Sequence, residues 1–148
     1  LNRIKEHSVT FESYYRGWIA NCLSSIGFSV IQEHYCNKGI VDIYLPKKKI
    51  VIEVEKDLRT PTRIKRCKEQ INRYADIVNA KEKWVIILYE IHKDVKERLK
   101  KLLNVDKVLD SKDILDMLPN PSQFSCLLPD IQRLWETKIS HLDRWFNG

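Results

Sequence analysis

The chain has 148 residues, 43% of them hydrophobic, with only 4 glycines and 5 prolines, a composition that supports a globular core and excludes collagenous or disordered chains. Its longest uninterrupted apolar run, from Trp84 to Tyr89, is far too short to cross a bilayer, and the opening residues lack the apolar stretch of a signal peptide. Lysine and arginine outnumber aspartate and glutamate 26 to 20, a net charge of +6, which favours a polyanionic partner over an acidic-protein role.

Phe11, Tyr15, Trp18, Ile19, Cys22, Leu23 and Ile26 recur at spacings of three and four, which predicts an amphipathic helix over about residues 8–25 ended by Gly27. Residues 28–35 read as a strand, Asn37-Lys38-Gly39 as a turn, and residues 39–45 and 49–56 as two further strands joined at Pro46-Lys47-Lys48. Thr60-Pro61 is a helix start, with Thr as N-cap and Pro at the first helical position; Ile64, Cys67, Ile71, Tyr74 and Val78 give that helix its apolar face. The run Trp84 to Tyr89 reads as a strand covered on both faces. A helix over about 93–103, a short strand near 107–109 and a capped helix over 111–118 follow.

The order αβββαβαβα predicts one mixed-sheet α/β domain across 1–148, with a core over about 8–118. A helical extension over 119–148 follows a linker at Asn120-Pro121-Ser122. Ile131, Leu134, Trp135, Ile139, Leu142, Trp145 and Phe146 line one side of its amphipathic helix. That stripe fits docking on the core or a homodimer, and both readings stay open.

Cys22, Cys36, Cys67 and Cys126 lack metal-knuckle spacing and read as buried free thiols of an intracellular protein, cytoplasmic or nucleoid-associated. His7, His34, His92 and His141 show no paired spacing and read as structural or surface residues.

The charge is uneven. Residues 47–73 hold ten bases and four acids, and the rest of the chain is balanced. In that window lies an acidic constellation. An even-length turn centred on Lys47-Lys48 pairs Ile43 with Ile52, Leu45 with Ile50 and Val41 with Val54, making one face of the hairpin apolar. The other face then carries Asp42 opposite Glu53, with Glu55 two residues on. Like charges so placed destabilise a sheet, and hard oxygen ligands gathered this way suit Mg²⁺ or Mn²⁺. Pairing with Lys49, Lys56 or Arg59 is the structural alternative.

Asp42, followed after ten residues by Glu53-Val54-Glu55 on the next strand, resembles the core of the PD-(D/E)XK nucleases. Glu12 matches the acid many members carry on their first helix. Gln70 and Tyr74 resemble the Gln-x-x-x-Tyr motif of the RecB-like branch, and the order αβββαβ is that family's restriction-endonuclease-like core. The likeness covers about residues 8–90. Two positions depart from it: Val41 replaces the Pro of the family name, and Glu55 stands where Lys is expected, with Lys56 next to it. Strand alternation directs Lys56 to the opposite face unless the strand end turns it back.

The resemblance implies a metal-dependent nuclease of low sequence specificity, acting on nucleic acid, DNA foremost, and not on a membrane. It implies that Asp42, Glu53 and the carbonyl of Val54 hold Mg²⁺ or Mn²⁺. Glu55 would take a proton or a second ion, and Glu12, Gln70 and Lys56 would assist. Arg63, Arg66, Lys68, Arg73 and Tyr74 would contact the nucleic acid, most of them through its phosphates. The alternatives are a structure-specific endonuclease of the Holliday-junction type and a catalytically inactive module that keeps the fold and binds nucleic acid or protein.

Overall fold

A computed structural model of the chain describes the backbone of residues 2–36, 39–120 and 129, and side chains from 14 to 34, from 39 to 120 and at 129. The turn at Asn37-Lys38, the C-terminal amphipathic helix beyond Pro129 with its dimer reading, Cys126 and His141 lie outside the described residues. So do the side chains of His7, Glu12 and Cys36.

The elements run α1 (Asn2–Ile26), β1 (Ile31–Cys36), β2 (Gly39–Leu45), β3 (Ile50–Glu55), α2 (Pro61–Val78), β4 (Glu82–Ile87), α3 (Lys93–Leu103), β5 (Lys107–Asp110) and α4 (Ser111–Asp116). The order is the expected one, but α1 starts at Asn2, ahead of the residue 8 at which the apolar periodicity begins, and β1 starts later than expected. After Gly27, whose φ is +112°, Phe28 donates its N–H to the Leu23 carbonyl. Phe28 therefore finishes the helix and β1 starts later than the apolar pattern predicts. Helix α2 begins as predicted: Thr60 is the N-cap, its side-chain oxygen accepting the Arg63 N–H at 3.3 Å, and Pro61 opens the first turn. His92 caps α3 by accepting the Asp94 N–H. Asp110 and Asp113 form a capping box for α4.

The five strands form one mixed sheet in sequential order, β1-β2-β3-β4-β5. The first three are antiparallel, and β3, β4 and β5 are parallel. The hairpin register is as predicted, with Ile43 facing Ile52 and Leu45 facing Ile50.

Both faces of this sheet are core. On one, Ile43, Leu45, Ile50, Ile52, Trp84, Ile86 and Leu88 pack against α1 and α4 through Tyr15, Trp18, Ile19, Leu23 and Ile114. On the other, Tyr44, Val51, Val85 and Ile87 pack against α2 and α3 through Cys67, Ile71, Leu99 and Leu103. The hairpin therefore has two buried faces, not the single one its pattern implied. The expected pairing of Val41 with Val54 also fails: the recorded ladder runs from Leu45↔Ile50 to Ile43↔Ile52 and goes no further, and Val41 packs on the α2 side. The alternation of β2 breaks at Asp42.

Asp110 and the side chain of Lys96 tie α3 to the end of the sheet, with Lys96 Nζ 2.9 Å from Asp110 and 2.8 Å from Asp113. Tyr15 reaches across from α1 to Ser111 Oγ at 2.9 Å, and Ser111 donates to the Leu88 carbonyl at 2.7 Å. These two contacts fix the α1–α4 layer against β4. Among the described residues, no helix is long and apolar enough to cross a membrane.

Candidate functional site

Beyond Ile43 and Ile52, β2 and β3 separate. The Val54 N–H, directed toward β2, donates not to a strand carbonyl but to Asp42 Oδ2 at 2.9 Å. A side chain thus replaces the ladder at the point where the strands diverge, and the fork opens a cavity of about 420 Å³. Its walls come from both helical layers: Tyr15 and Arg16 of α1, Asp42 of β2, the segment Glu53 to Lys56, and Arg63, Arg66 and Gln70 of α2.

The floor is acidic. Glu53 is only 6% exposed, and it hydrogen-bonds the carboxyl and the backbone N–H of Asp42. Its pKa is driven well above the ordinary carboxylate range, first by burial and then by the charges of Asp42 and Glu55. A hydrogen bond between two carboxyl groups needs a proton on one of them, and burial with the neighbouring charges raises the proton affinity of Glu53. The other oxygen, Oε1, is buried and makes no hydrogen bond, an expensive state for a carboxyl in a low-dielectric interior. Glu55 accepts from the thiol of Cys67 beneath it; burial pushes that thiol's pKa well up, with Glu55 and Glu53 adding to the effect.

The rim is basic. Arg63, Arg66 and Gln70 stand three and four residues apart, so one stripe of α2 faces the cavity. Arg63 also lies 3.5 Å from Asp57 in a half-exposed ion pair. Lys56 follows the last strand residue, Glu55, and lines the cavity beside it; the end of β3 turns the chain, so strict alternation does not carry Lys56 away.

Asp42, Glu53, Val54, Glu55, Lys56, Gln70, Arg63 and Arg66 are therefore brought together. Tyr74, Lys68 and Arg73 are not. Tyr74 is 6% exposed within the core, its ring packed against Gly39, where a Cβ would come within 2.5 Å of the phenol oxygen. The apparent Gln-x-x-x-Tyr pair is split, Gln70 facing the cavity and Tyr74 the core. Lys68 and Arg73 are exposed on α2 away from the cavity wall, Arg73 lying over the Tyr74 ring at 5.2 Å.

Arg16 is the wall residue that sequence reasoning missed. The only local signal was a cation beside the apolar stripe of the first helix, and nothing in that pattern says that α1 meets the hairpin fork. Among the described residues, no group of three or more His, Cys, Asp or Glu side chains is already arranged as a metal cage. The floor instead carries a hydrogen bond between the Glu53 and Asp42 carboxyl groups.

The fold and site together define an α/β domain whose mixed sheet forks over a buried carboxylate cluster beneath an arginine-lined rim. Compared with known protein families, with curated proteins and with solved structures, the chain matches none.

Proposed function

We propose that the protein is a metal-dependent nuclease, hydrolysing phosphodiester bonds of nucleic acid, DNA foremost, in the manner of the PD-(D/E)XK enzymes its motifs resemble. The observation that carries the reading is the gathering of three carboxylates under Lys56, Gln70, Arg63 and Arg66 in one cavity.

The donor set fits a hard divalent cation. Asp42, Glu53 and Glu55 supply carboxylate oxygens, the Val54 carbonyl is next to them in the chain, and the buried Glu53 Oε1 is a lone-pair donor with no hydrogen bond. Mg²⁺ or Mn²⁺ bound there would lower the pKa of a coordinated water and polarise the scissile phosphate. Asp42 and Glu53 would give up their shared proton on binding it. Glu55 would accept the proton of the attacking water. Lys56, although displaced by one position from the family pattern, lines the same cavity and would stabilise charge growing on the phosphate. Gln70 would orient the water or a phosphate oxygen, and Arg63 and Arg66 would hold the backbone on either side of the cut.

The test is cleavage of supercoiled plasmid, linear duplex, single strands and a four-way junction with Mg²⁺, Mn²⁺ or EDTA, beside Glu53→Ala. Metal-dependent cutting that disappears in the variant supports the reading, and the preferred substrate separates a low-specificity nuclease from a junction-specific one. Salt-sensitive binding with no cutting on any substrate would identify a non-catalytic module, the reading that Glu55 in place of Lys favours.

A further inference from the structure

The cavity has two walls on opposite faces of the sheet, and the family resemblance assigns phosphate-binding cations only to the α2 side, while on α1 it assigns an acid, Glu12. On the α1 side stands Arg16, whose side chain is 14% exposed. A guanidinium is rarely so deeply placed without a task or a partner. Its partner is Glu33 of β1, bound through Arg16 Nη2, and Glu33 reaches it from the solvent side with 48% of its side chain exposed.

The backbone is bent to make that contact. Glu33 has φ +51°, left-handed, whereas the other described non-glycine residues with positive φ are Lys49 in the hairpin turn and the helix caps Asn79 and Asn104. The β1–β2 register is constant on both sides, with Gln32 facing Ile43 and His34 facing Val41, but skips the pair between them, Glu33 and Asp42. One local distortion therefore sits opposite the carboxylate of β2 and re-aims a side chain toward α1.

We propose that Arg16 is a phosphate ligand for the nucleic-acid backbone, held at the cavity by Glu33 as a positioning residue, so that the bound strand passes between α1 and α2. This rests on the nuclease reading of the same site and adds its second wall. A strand lying over the carboxylates meets Arg63 and Arg66 on one side and Arg16 on the other. The bidentate geometry of guanidinium and phosphate suits a clamp of this kind.

The experiment measures binding of a fluorescein-labelled oligonucleotide, single-stranded and as duplex, to the full chain in EDTA across a salt series. Variants are Arg16→Gln, Arg16→Ala and Glu33→Gln, with Arg66→Ala as the control for the other wall. Loss of one phosphate contact lowers the slope of log K against log salt by about 0.7 for single strands and about 0.9 for duplex. At 0.1 M salt that corresponds to about an eightfold weaker complex for duplex. Arg16→Gln keeps a hydrogen-bonding group for Glu33 and loses the charge, so it should show this loss even if Arg16→Ala fails to fold. Glu33→Gln breaks the ion pair but keeps the cation, so it should retain the full slope yet bind more weakly at every salt concentration; binding as tight as the unaltered protein, or tighter, would overturn the positioning role of Glu33.

A merely structural Arg16 predicts otherwise. Arg16→Ala and Glu33→Gln would then lower the melting temperature together, and Arg16→Gln would leave the slope unchanged; that outcome overturns the proposal. If Arg66→Ala lowers the slope and Arg16→Gln does not, the clamp fails while the nucleic-acid reading stands. If the unaltered protein binds neither oligonucleotide in a salt-dependent way, both fall.

Discussion

Replacing Glu53 by Gln should make the metal-free protein more stable at neutral pH. The glutamate is 6% exposed, leaves Oε1 without a hydrogen bond and faces two like charges. Two unit charges about 4 Å apart repel by about 4 kcal/mol at an effective dielectric near 20, which sets the scale of what its removal releases. The shared proton already relieves part of this, so a gain of about 1–2 kcal/mol is expected, typical of relieving strain at an active site. For a chain of this length that is about 3–6 °C in Tm. A Gln amide can donate permanently to Asp42 the hydrogen bond that Glu53 makes only when protonated.

The pH dependence has a definite sign. Glu53 is protonated more tightly in the folded than in the unfolded chain, so stability falls as pH rises from the ordinary carboxylate range through the raised value and then levels off. The advantage of Glu53→Gln should vanish in acid, grow as pH rises from the ordinary carboxylate range, and be full above the raised value. Thermal melts in EDTA from acid to neutral pH measure it, and adding Mn²⁺ should raise the Tm of the unaltered protein more than that of the variant. A Glu53→Gln protein that melts lower than the original at neutral pH in EDTA would refute the account of the floor as a charge cluster held by a proton.

Asp110 should behave with the opposite sign: burial works to raise its pKa, but the Lys96 hydrogen bond and the capping contacts from Asp113 and Ile91 outweigh it and hold it low. Asp110→Asn should therefore cost about 1.5–3 kcal/mol at neutral pH and progressively less as pH falls through the folded value, as melts of both proteins across that range would show. Tyr74→Phe should leave oligonucleotide binding and any cleavage unchanged, because the ring lies in the core and not on the cavity wall; a large loss in either assay would contradict that placement. Gly39→Ala should destabilise by about 1–3 kcal/mol through overpacking against the Tyr74 phenol, and a double-mutant cycle with Tyr74→Phe should recover part of it. In the native protein, burial pushes the Cys22 thiol up to about 12 and the Cys67 thiol higher still, so peptide-mapped iodoacetamide labelling at pH 8 should modify both only after unfolding.

The element order, the α2 start at Thr60-Pro61 and the hairpin register at Ile43/Ile52 and Leu45/Ile50 were all legible in the sequence. They depend on local periodicity, capping and turn length, each encoded within a few residues. Asp42, Glu53 and Glu55 do line one cavity, but not through the continued register that predicted it: the ladder stops at Ile43 and Ile52, and Asp42 instead accepts the Val54 N–H where the strands part.

Other features needed the assembled sheet. That both faces of the hairpin are buried follows from helices packing on each side, which a strand pattern does not specify. Val41 leaves its expected face because β2 and β3 part after Ile43 and Ile52, and no local signal marks where a ladder stops. Tyr74 and Gln70 share a helix spacing, yet one meets Gly39 in the core and the other the cavity. Arg16 lines the carboxylate cavity only because α1 and α2, on opposite faces of the sheet, both border the fork. The sequence determined which chemical groups lie along each element; tertiary packing decided which ones share a cavity, because strand separation and layer contacts are set by residues far apart in the chain.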